Sequence, residues 1–250
     1  MVKNHPFRKK WGQNFLRDPN TIEKIVKLIN PQKHDTILEI GPGDGALTDK
    51  ISNYVGSLYV VEIDPLLIKH LKEKKYNNVK ICSDDILNWN FSILPEKFKV
   101  IGNLPYNISS PILFRFITNM IFKEMVLMFQ KELADRIVST EGSKSYGRIS
   151  VMCQTYFDVE RKFNVSRNVF QPKPGVDSSV LSFHPKKSII PDPLHFSQFI
   201  KKVFSNRRKK LKNNLGEEYK DDVINKFLDF RPDAISPMEY IEIYRRIYIG

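Results

Sequence analysis

Cysteine is nearly absent from this chain. Cys82 and Cys153 stand far apart with no CxxC pair, which excludes a disulfide framework or a thiolate zinc site and fits a reducing compartment. The five histidines (His5, His34, His70, His184 and His195) are scattered, so no metal site is expected. No apolar run approaches the ~20 residues needed to span a bilayer, so no membrane association is expected. There is no internal repeat and no low-complexity tract. Acidic residues are the scarcer charge: 28 against 40 Lys and Arg, a formal net charge of +12. That excess favours a polyanionic partner through counterion release but carries no sequence preference. The first 17 residues hold five basic and no acidic side chains, a superficial likeness to a transit peptide. A structured motif begins by Gly12, however, and the expectation is a cytoplasmic protein.

What is present is a globular composition. The chain has 250 residues, 41% of them hydrophobic, enough for one large domain plus a small appendage. Asp18-Pro19 followed by Ile22, Ile25, Val26, Leu28 and Ile29 predicts a capped amphipathic helix. Strands are expected at Ile37–Ile40, Leu58–Ile63, Val79–Cys82, Val100–Gly102 and Met125–Phe129, and helices after Ala46, after Asp64-Pro65 and over Pro111–Met120. Strand and helix alternate, the pattern of a parallel sheet covered on both faces, an α/β Rossmann-like fold. From Val151 to Phe183 the pattern turns more β-like, and Ile190-Pro191-Asp192-Pro193 reads as a linker. Beyond it Phe196, Phe199, Ile200, Val203, Phe204 and Leu211 recur at helical spacing. The expected division is therefore a catalytic domain over 1–187 and a small C-terminal helical domain over 188–250.

Ligands in such folds gather at the carboxyl ends of the strands. Gly41-Pro42-Gly43-Asp44-Gly45 follows the first strand but lacks the G-x-G-x-x-G spacing of a dinucleotide site. Its glycines let main chain pass close beneath a smaller ligand. Glu62 lies 21 positions after Gly41, where a carboxylate can accept from both ribose hydroxyls, a charged bond contributing on the order of 1.5–3 kcal/mol. Asp85, after the next strand, is placed to accept from an adenine amino group, with Asp84 as its rival.

Asn103-Leu104-Pro105-Tyr106 ends another strand on the same rim. An adenine N6 amine is a poor nucleophile because its lone pair is delocalised into the ring. The Asn103 side-chain oxygen and the Leu104 main-chain carbonyl form a pair of acceptors able to draw that nitrogen towards tetrahedral geometry. Pro105 restricts Leu104 to an extended conformation that aims its carbonyl outward, and Tyr106 can stack on the base. Phe170, in Phe170-Gln171-Pro172-Lys173-Pro174, offers a second aromatic wall. These residues imply methyl transfer to an exocyclic adenine nitrogen.

With those residues in view, the chain resembles the KsgA-type family of small-subunit (16S) rRNA adenine N6,N6-dimethyltransferases along nearly its whole length. Lys10-Trp11-Gly12-Gln13-Asn14-Phe15-Leu16 is similar to the family's amino-terminal motif, which implies that Asn14 and Leu16 contact S-adenosylmethionine. Glu39–Gly45 resembles the first methyltransferase motif, with Gly41 as the cofactor glycine, Glu62 as the ribose acid and Asp85 as the acid at the cofactor adenine. Asn103–Ser109 resembles the catalytic motif, and Asn103 also borders the cofactor. Phe170–Ser178 resembles the later aromatic-proline motif. Gln130–Ala134, Tyr146-Gly147-Arg148 and Arg207-Arg208-Lys209 also agree. Trp11 stands where Phe is usual, and Gly175 where Lys is commoner. The resemblance implies dimethylation of two adjacent adenosines in the 3′-terminal hairpin of small-subunit rRNA, late in assembly, on the pre-30S particle; a monomer is expected.

Lys201–Lys212 holds seven basic residues and no acidic one. On a helix they would form a ridge for RNA phosphates, with Arg207, Arg208, Lys209 and Lys210 at its centre. An erythromycin-resistance-type enzyme acting on large-subunit rRNA shares the strand-end motif. Gln130–Ala134 and Tyr146-Gly147-Arg148 favour the small-subunit family. A DNA adenine methyltransferase would need a target-recognition domain for which this length leaves no room. A non-enzymatic assembly factor on the same fold would have no use for the acceptor motif.

Overall fold

The computed structural model describes residues 13–95, 97–187, 192–216 and 221–249. Residues 10–12 of the amino-terminal motif, the expected boundary at 188 and residues 190–191 of the expected linker lie outside that range. Contacts divide the chain into two compact units. One comprises residues up to Arg115 with Met120–Ala134 and Glu160–Pro185; the other comprises Phe116–Asn119, Asp135–Val159 and the chain from Lys186 onward.

The first unit carries the sheet. A short β1 (Phe15–Leu16) leads into α1 (Pro19–Ile29). Asp18 caps this helix, accepting from the Thr21 N–H at 2.7 Å, and Ile22, Ile25, Val26 and Ile29 turn inward at the 3–4 spacing of one helical face. There follow β2 (Thr36–Ile40), α2 (Thr48–Ile51), β3 (Ser57–Glu62), α3 (Pro65–Glu73), β4 (Val79–Ser83), β5 (Phe98–Asn103), α4 (Ser109–Thr118) and β6 (Phe122–Gln130). Asp64 caps α3 just as Asp18 caps α1. Beyond them lie β7 (Phe157–Val165), β8 (Phe170–Gln171) and β9 (Ser178–Pro185).

The sheet order is β4-β3-β2-β5-β6-β9-β7. Strands β2 to β6 run parallel, and β9 lies antiparallel to β6 with Gln130 opposite Ser178. The chain winds outward from β2 to β4, then returns to place β5 on the other side of β2. That reversal opens a crevice at the carboxyl ends of β2 and β5. The turn after β2 begins with Gly41 and β5 ends with Asn103, so both motifs meet at the switch point. A two-stranded ribbon pairs Phe15 with Gln171 and Leu16 with Phe170.

The second unit is helical, with α5 (Lys131–Ile137, of which Asp135 onward belongs here), α6 (Arg148–Tyr156), α7 (Pro193–Val203), α8 (Lys212–Leu215), α9 (Asp222–Asn225) and α10 (Pro237–Tyr248). Ser236 and Glu239 form a reciprocal cap at the start of α10. Phe196, Phe199, Tyr240 and Tyr244 interleave edge to face in its core.

Two expectations are corrected here. The stretch from Val151 is helical as far as Tyr156, and strand character begins only at Phe157. Helix α6 buries Val151, Met152, Cys153 and Tyr156 completely and Ser150 and Thr155 with them, so its buried positions are not marked by an apolar stripe of helical period. Its start is held by Ser150 Oγ, which accepts from the Gly147 N–H at 3.0 Å. The basic segment is not one helix: α7 stops at Val203, and Arg207–Lys210 lie in turns before α8. By contacts, Asp135–Val159 groups with the C-terminal helices.

Candidate active site

A cleft of about 300 Å³ opens at the switch point, wholly within the first unit. Its floor is the glycine turn. Gly41 and Gly43 adopt φ of 62° and 61°, a region that side chains disfavour. A Cβ on Gly43 would stand 3.0 Å from the Phe15 ring. Phe15 therefore packs directly on the bare main chain of the turn, where any side chain would crowd it.

Glu62 ends β3 on the cleft wall and is buried. Its Oε2 accepts from the Gly43 N–H at 3.2 Å, and Oε1 accepts from the N–H groups of Ile63 and Asp64, each at 2.9 Å. Burial nevertheless raises its carboxyl above the ordinary value, with the three N–H donors opposing the shift. Glu39, at the end of β2, also lines the cleft and is fully buried. It accepts from Thr48 Oγ1 at 2.7 Å, and burial pushes its carboxyl up to about 8.

Asp84 and Asp85 both line the cleft after β4. Asp85 is half-buried and its Oδ1 accepts from the Leu87 N–H at 2.9 Å, whereas Asp84 is exposed and caps the Asp85 N–H at 2.7 Å. Asp85 is thus the better anchored of the two. Ile63 and Ile86, absent from the sequence expectations, add apolar surface on either side of this wall.

Across the cleft stands the end of β5. The Leu104 side chain is 1% exposed and roots the turn in the core. Asn103 Nδ2 donates to the Asn14 main-chain carbonyl at 2.9 Å. A carbonyl can only accept, so the amide nitrogen must face Asn14 and Oδ1 must face away. The half-buried Tyr106 ring lines the cleft, and its hydroxyl lies 3.0 Å from Ser178 Oγ. Burial raises its phenol above the ordinary range, so the ring stays neutral. Asn14 and Leu16 line the opposite wall, together with Gln13 and Phe15.

The structure therefore brings Asn14, Leu16, Gly41, Glu62, Asp85, Asn103, Leu104, Pro105 and Tyr106 together around one cleft. It does not bring Phe170 there. That side chain is 5% exposed, pairs through its main chain with Leu16 and packs into the hydrophobic core. As found, Phe170 buttresses the strand carrying Leu16 and offers no open face to a base.

Arg207 likewise departs from expectation. Its Nε pairs with Asp233 Oδ2 at 3.1 Å, and Nη2 donates to the Ser143 and Lys144 carbonyls at 3.2 and 2.7 Å. It ties one loop of the helical unit to another instead of standing on a ridge. Lys210 and Lys212 share Asp229, while Arg208 and Lys209 are exposed. Among the described residues no group of three His, Cys, Asp or Glu side chains is placed to hold a metal ion, and no helix is long and apolar enough to cross a membrane.

Sequence reasoning missed three supporting residues. Arg17 pairs with Asp44 of the glycine turn at 2.5 Å, Gln13 Nε2 donates to Asp64 Oδ2 at 2.8 Å, and Ser178 tethers Tyr106. Gln13 and Ser178 carried a signal, as members of the amino-terminal and aromatic-proline motifs; Arg17 carried none.

Known proteins match this geometry. A family model described as ribosomal RNA adenine dimethylase matches residues 4–244. A Chlorobium limicola protein named ribosomal RNA small subunit methyltransferase A is 40% identical over 245 residues, covering 96% of this chain and 93% of its own. A Francisella tularensis subsp. novicida protein of the same name is 43% identical over 227 residues, 87% of each chain. Among solved structures, a dimethyladenosine transferase from Plasmodium falciparum superposes with a TM-score of 0.83 at 25% identity, covering 93% of this chain and 98% of that one. The 23S rRNA methyltransferase ErmE shares the fold, with a TM-score of 0.74 at 24% identity over 93% of this chain and 99% of its own.

Proposed function

The chain belongs to the ribosomal RNA adenine dimethylase family, and from that premise we propose how its cleft carries out methyl transfer. It is an S-adenosylmethionine-dependent enzyme that dimethylates adenosine N6 in small-subunit rRNA. The methyl donor fits the residues present: a glycine turn without Cβ atoms, a buried carboxylate at the end of β3, and a second acid at the end of β4. Glu62 would hold the ribose hydroxyls and Asp85 the cofactor adenine amine, with Ile63 and Ile86 of the cleft lining supplying apolar surface beside them. Gly41, Asn14 and Leu16 complete the enclosure. When bound, S-adenosylmethionine supplies an electrophilic methyl group.

The target base enters on the β5 side. Asn103 Oδ1 and the Leu104 carbonyl accept the two N6 hydrogens, localising the nitrogen lone pair towards the methyl donor. Tyr106 stacks on the purine and holds it in line. The methylated nitrogen then loses a proton to water, so no general base is needed. For the second transfer one N6 hydrogen remains, and one of the two acceptors suffices to hold it.

The observation that carries this reading is the Asn103–Asn14 hydrogen bond, which leaves an acceptor and not a donor facing the substrate amine. The substrate is two adjacent adenosines of the 3′-terminal hairpin, presented on the pre-30S particle to a cytoplasmic monomer. Exposed Arg208 and Lys209 contact phosphates, positioning the particle without choosing the bases. The small-subunit target is favoured over the large-subunit one by relatives near 40% identity that are named for the small subunit. The test is to incubate the protein with labelled S-adenosylmethionine and undermethylated small subunits, then map the product by mass spectrometry. Dimethyladenosine at adjacent positions near the 3′ end is expected, and its loss in Asn103→Ala. No label on small subunits, with label on large subunits offered in a parallel incubation, would overturn the assignment.

A further inference from the structure

The segment Gln13–Arg17 forms a strap along one wall of the cleft, and it is clasped at both ends. Gln13 Nε2 donates to Asp64 Oδ2 at 2.8 Å, and Arg17 Nη1 pairs with the buried carboxylate of Asp44 at 2.5 Å. The Arg17 guanidinium also stands 5.3 Å from the centre of the Phe15 ring, and its main-chain N–H donates to the Val169 carbonyl at 2.8 Å. Between the clasps, Phe15 rests on Gly43 and Leu16 pairs with Phe170. The Asn14 carbonyl lies in the middle of this span and receives Asn103 Nδ2.

That single bond selects between two orientations of the Asn103 amide. The two ends of a carboxamide are nearly equal in size and differ only in what they donate or accept. With nitrogen on Asn14, the oxygen is left for the substrate amine. Turned over, the amide would oppose one carbonyl with another at Asn14 and present N–H donors to an amine whose hydrogens need acceptors. Both faults point the same way, so the orientation follows the position of the Asn14 carbonyl.

We propose that the Asn14 main-chain carbonyl, held in place by the Arg17–Asp44 pair, sets the acceptor orientation of the Asn103 amide, making Arg17 a positioning residue for methyl transfer. The inference rests on Asn103 being the acceptor for N6. Arg17 does not line the cleft, so changing it removes no ligand contact. The strap that encloses the methyl donor through Asn14 and Leu16 is then also the strap that prepares the amide for the target amine.

The experiment compares full-length wild type with Arg17→Met, Arg17→Lys and Asn103→Ala. It measures kcat at saturating S-adenosylmethionine on undermethylated small subunits, and hydrogen exchange of the Asn103 side-chain amide by NMR, assigned by its absence in Asn103→Ala. Arg17→Met is expected to lower kcat about tenfold, a change of ~1.4 kcal/mol in the barrier, and to accelerate exchange of the Asn103 NH2 group. Arg17→Lys, which keeps a cation for Asp44, should recover much of both. Arg17→Met that exchanges and turns over like wild type would overturn the proposal, as would a slowed enzyme whose Asn103 amide stays protected. If Arg17→Met fails to fold, Arg17→Gln carries the test: it keeps a polar side chain without the cation for Asp44, and should raise exchange and lower kcat together. Failure of the acceptor reading looks different: Asn103→Ala would itself remain active.

Discussion

The Tyr106 hydroxyl lies 3.0 Å from Ser178 Oγ, and through that contact the turn after β5 is braced against the first residue of β9. Ser178 is completely buried and sits opposite Gln130 in the sheet. The Tyr106 ring is thus referenced to the sheet although it stands on a turn.

Tyr106→Ala should therefore reduce kcat/KM for small subunits roughly ten- to a hundredfold, the equivalent of one base–aromatic stack. Calorimetric affinity for S-adenosylmethionine should stay near wild type. Tyr106→Phe keeps the ring and loses only the tether, so its loss should be smaller. Equal losses in both variants would mean that the hydroxyl, not the ring face, matters.

Removing the Glu62 side chain leaves three main-chain N–H groups without their acceptor and, on the proposed role, takes one from the cofactor as well. Glu62→Ala should weaken S-adenosylmethionine binding by at least ~2 kcal/mol, about thirtyfold, in calorimetry. The pH dependence has a definite sign. The folded carboxyl titrates above its usual value because it is buried, and the ligand needs the ionised acceptor. Wild-type affinity should thus fall as pH drops through that raised value, and retained affinity in mild acid would contradict the assignment.

Glu39 makes an opposite demand on stability. Its folded carboxyl is raised by burial to about 8 from 4.5, so the folded state holds a proton that the unfolded chain has released. Stability is full below pH 4.5 and declines as pH rises towards 8, at roughly 1.4 kcal/mol per pH unit across the window. Glu39→Gln keeps an acceptor for Thr48 without the titration. Denaturant melts between pH 5 and 8 should show a flatter profile for Glu39→Gln than for wild type. Parallel profiles would show that Glu39 is ionised in the fold.

Arg207 and Arg208 should separate cleanly although adjacent. Arg207→Ala breaks a network with Asp233, Ser143 and Lys144 and should cost ~1–2 kcal/mol of stability with little change in salt dependence. Arg208→Ala with Lys209→Ala should leave thermal stability near wild type and reduce the slope of log affinity against log salt by about 1–2. Filter binding to small subunits across a salt series distinguishes the two.

The chemistry of this cleft was legible because its parts are short motifs at strand ends. Gly41, Glu62, Asp85 and Asn103 each follow or end a hydrophobic run, and a parallel sheet brings all such ends to one rim. Helix α1 was equally plain from Asp18-Pro19 and its apolar spacing. Helix α6 was not, because polar Ser150 and Thr155 are buried along with Val151, Met152, Cys153 and Tyr156, and no apolar stripe marks a helical period. Arg207 was misjudged for a related reason. A run of like charges shows in sequence, whereas Asp233, which neutralises one of them, lies 26 positions away. Phe170 stood in a motif with a base-binding look, but Leu16 lies opposite it only through a ribbon joining distant segments.

The antiparallel pairing of β9 with β6 has a consequence for how the gene for such an enzyme can change. Ser178 reaches Tyr106 because strand alternation turns its hydroxyl to one face of the sheet. Lengthening the Pro172–Asp177 loop by a codon or two would leave that parity untouched. A single-codon insertion a few positions later, within Ser178–His184, would invert every side chain ahead of it and swing the brace to the opposite surface. Drift in length is therefore tolerable on one side of Ser178 and intolerable on the other.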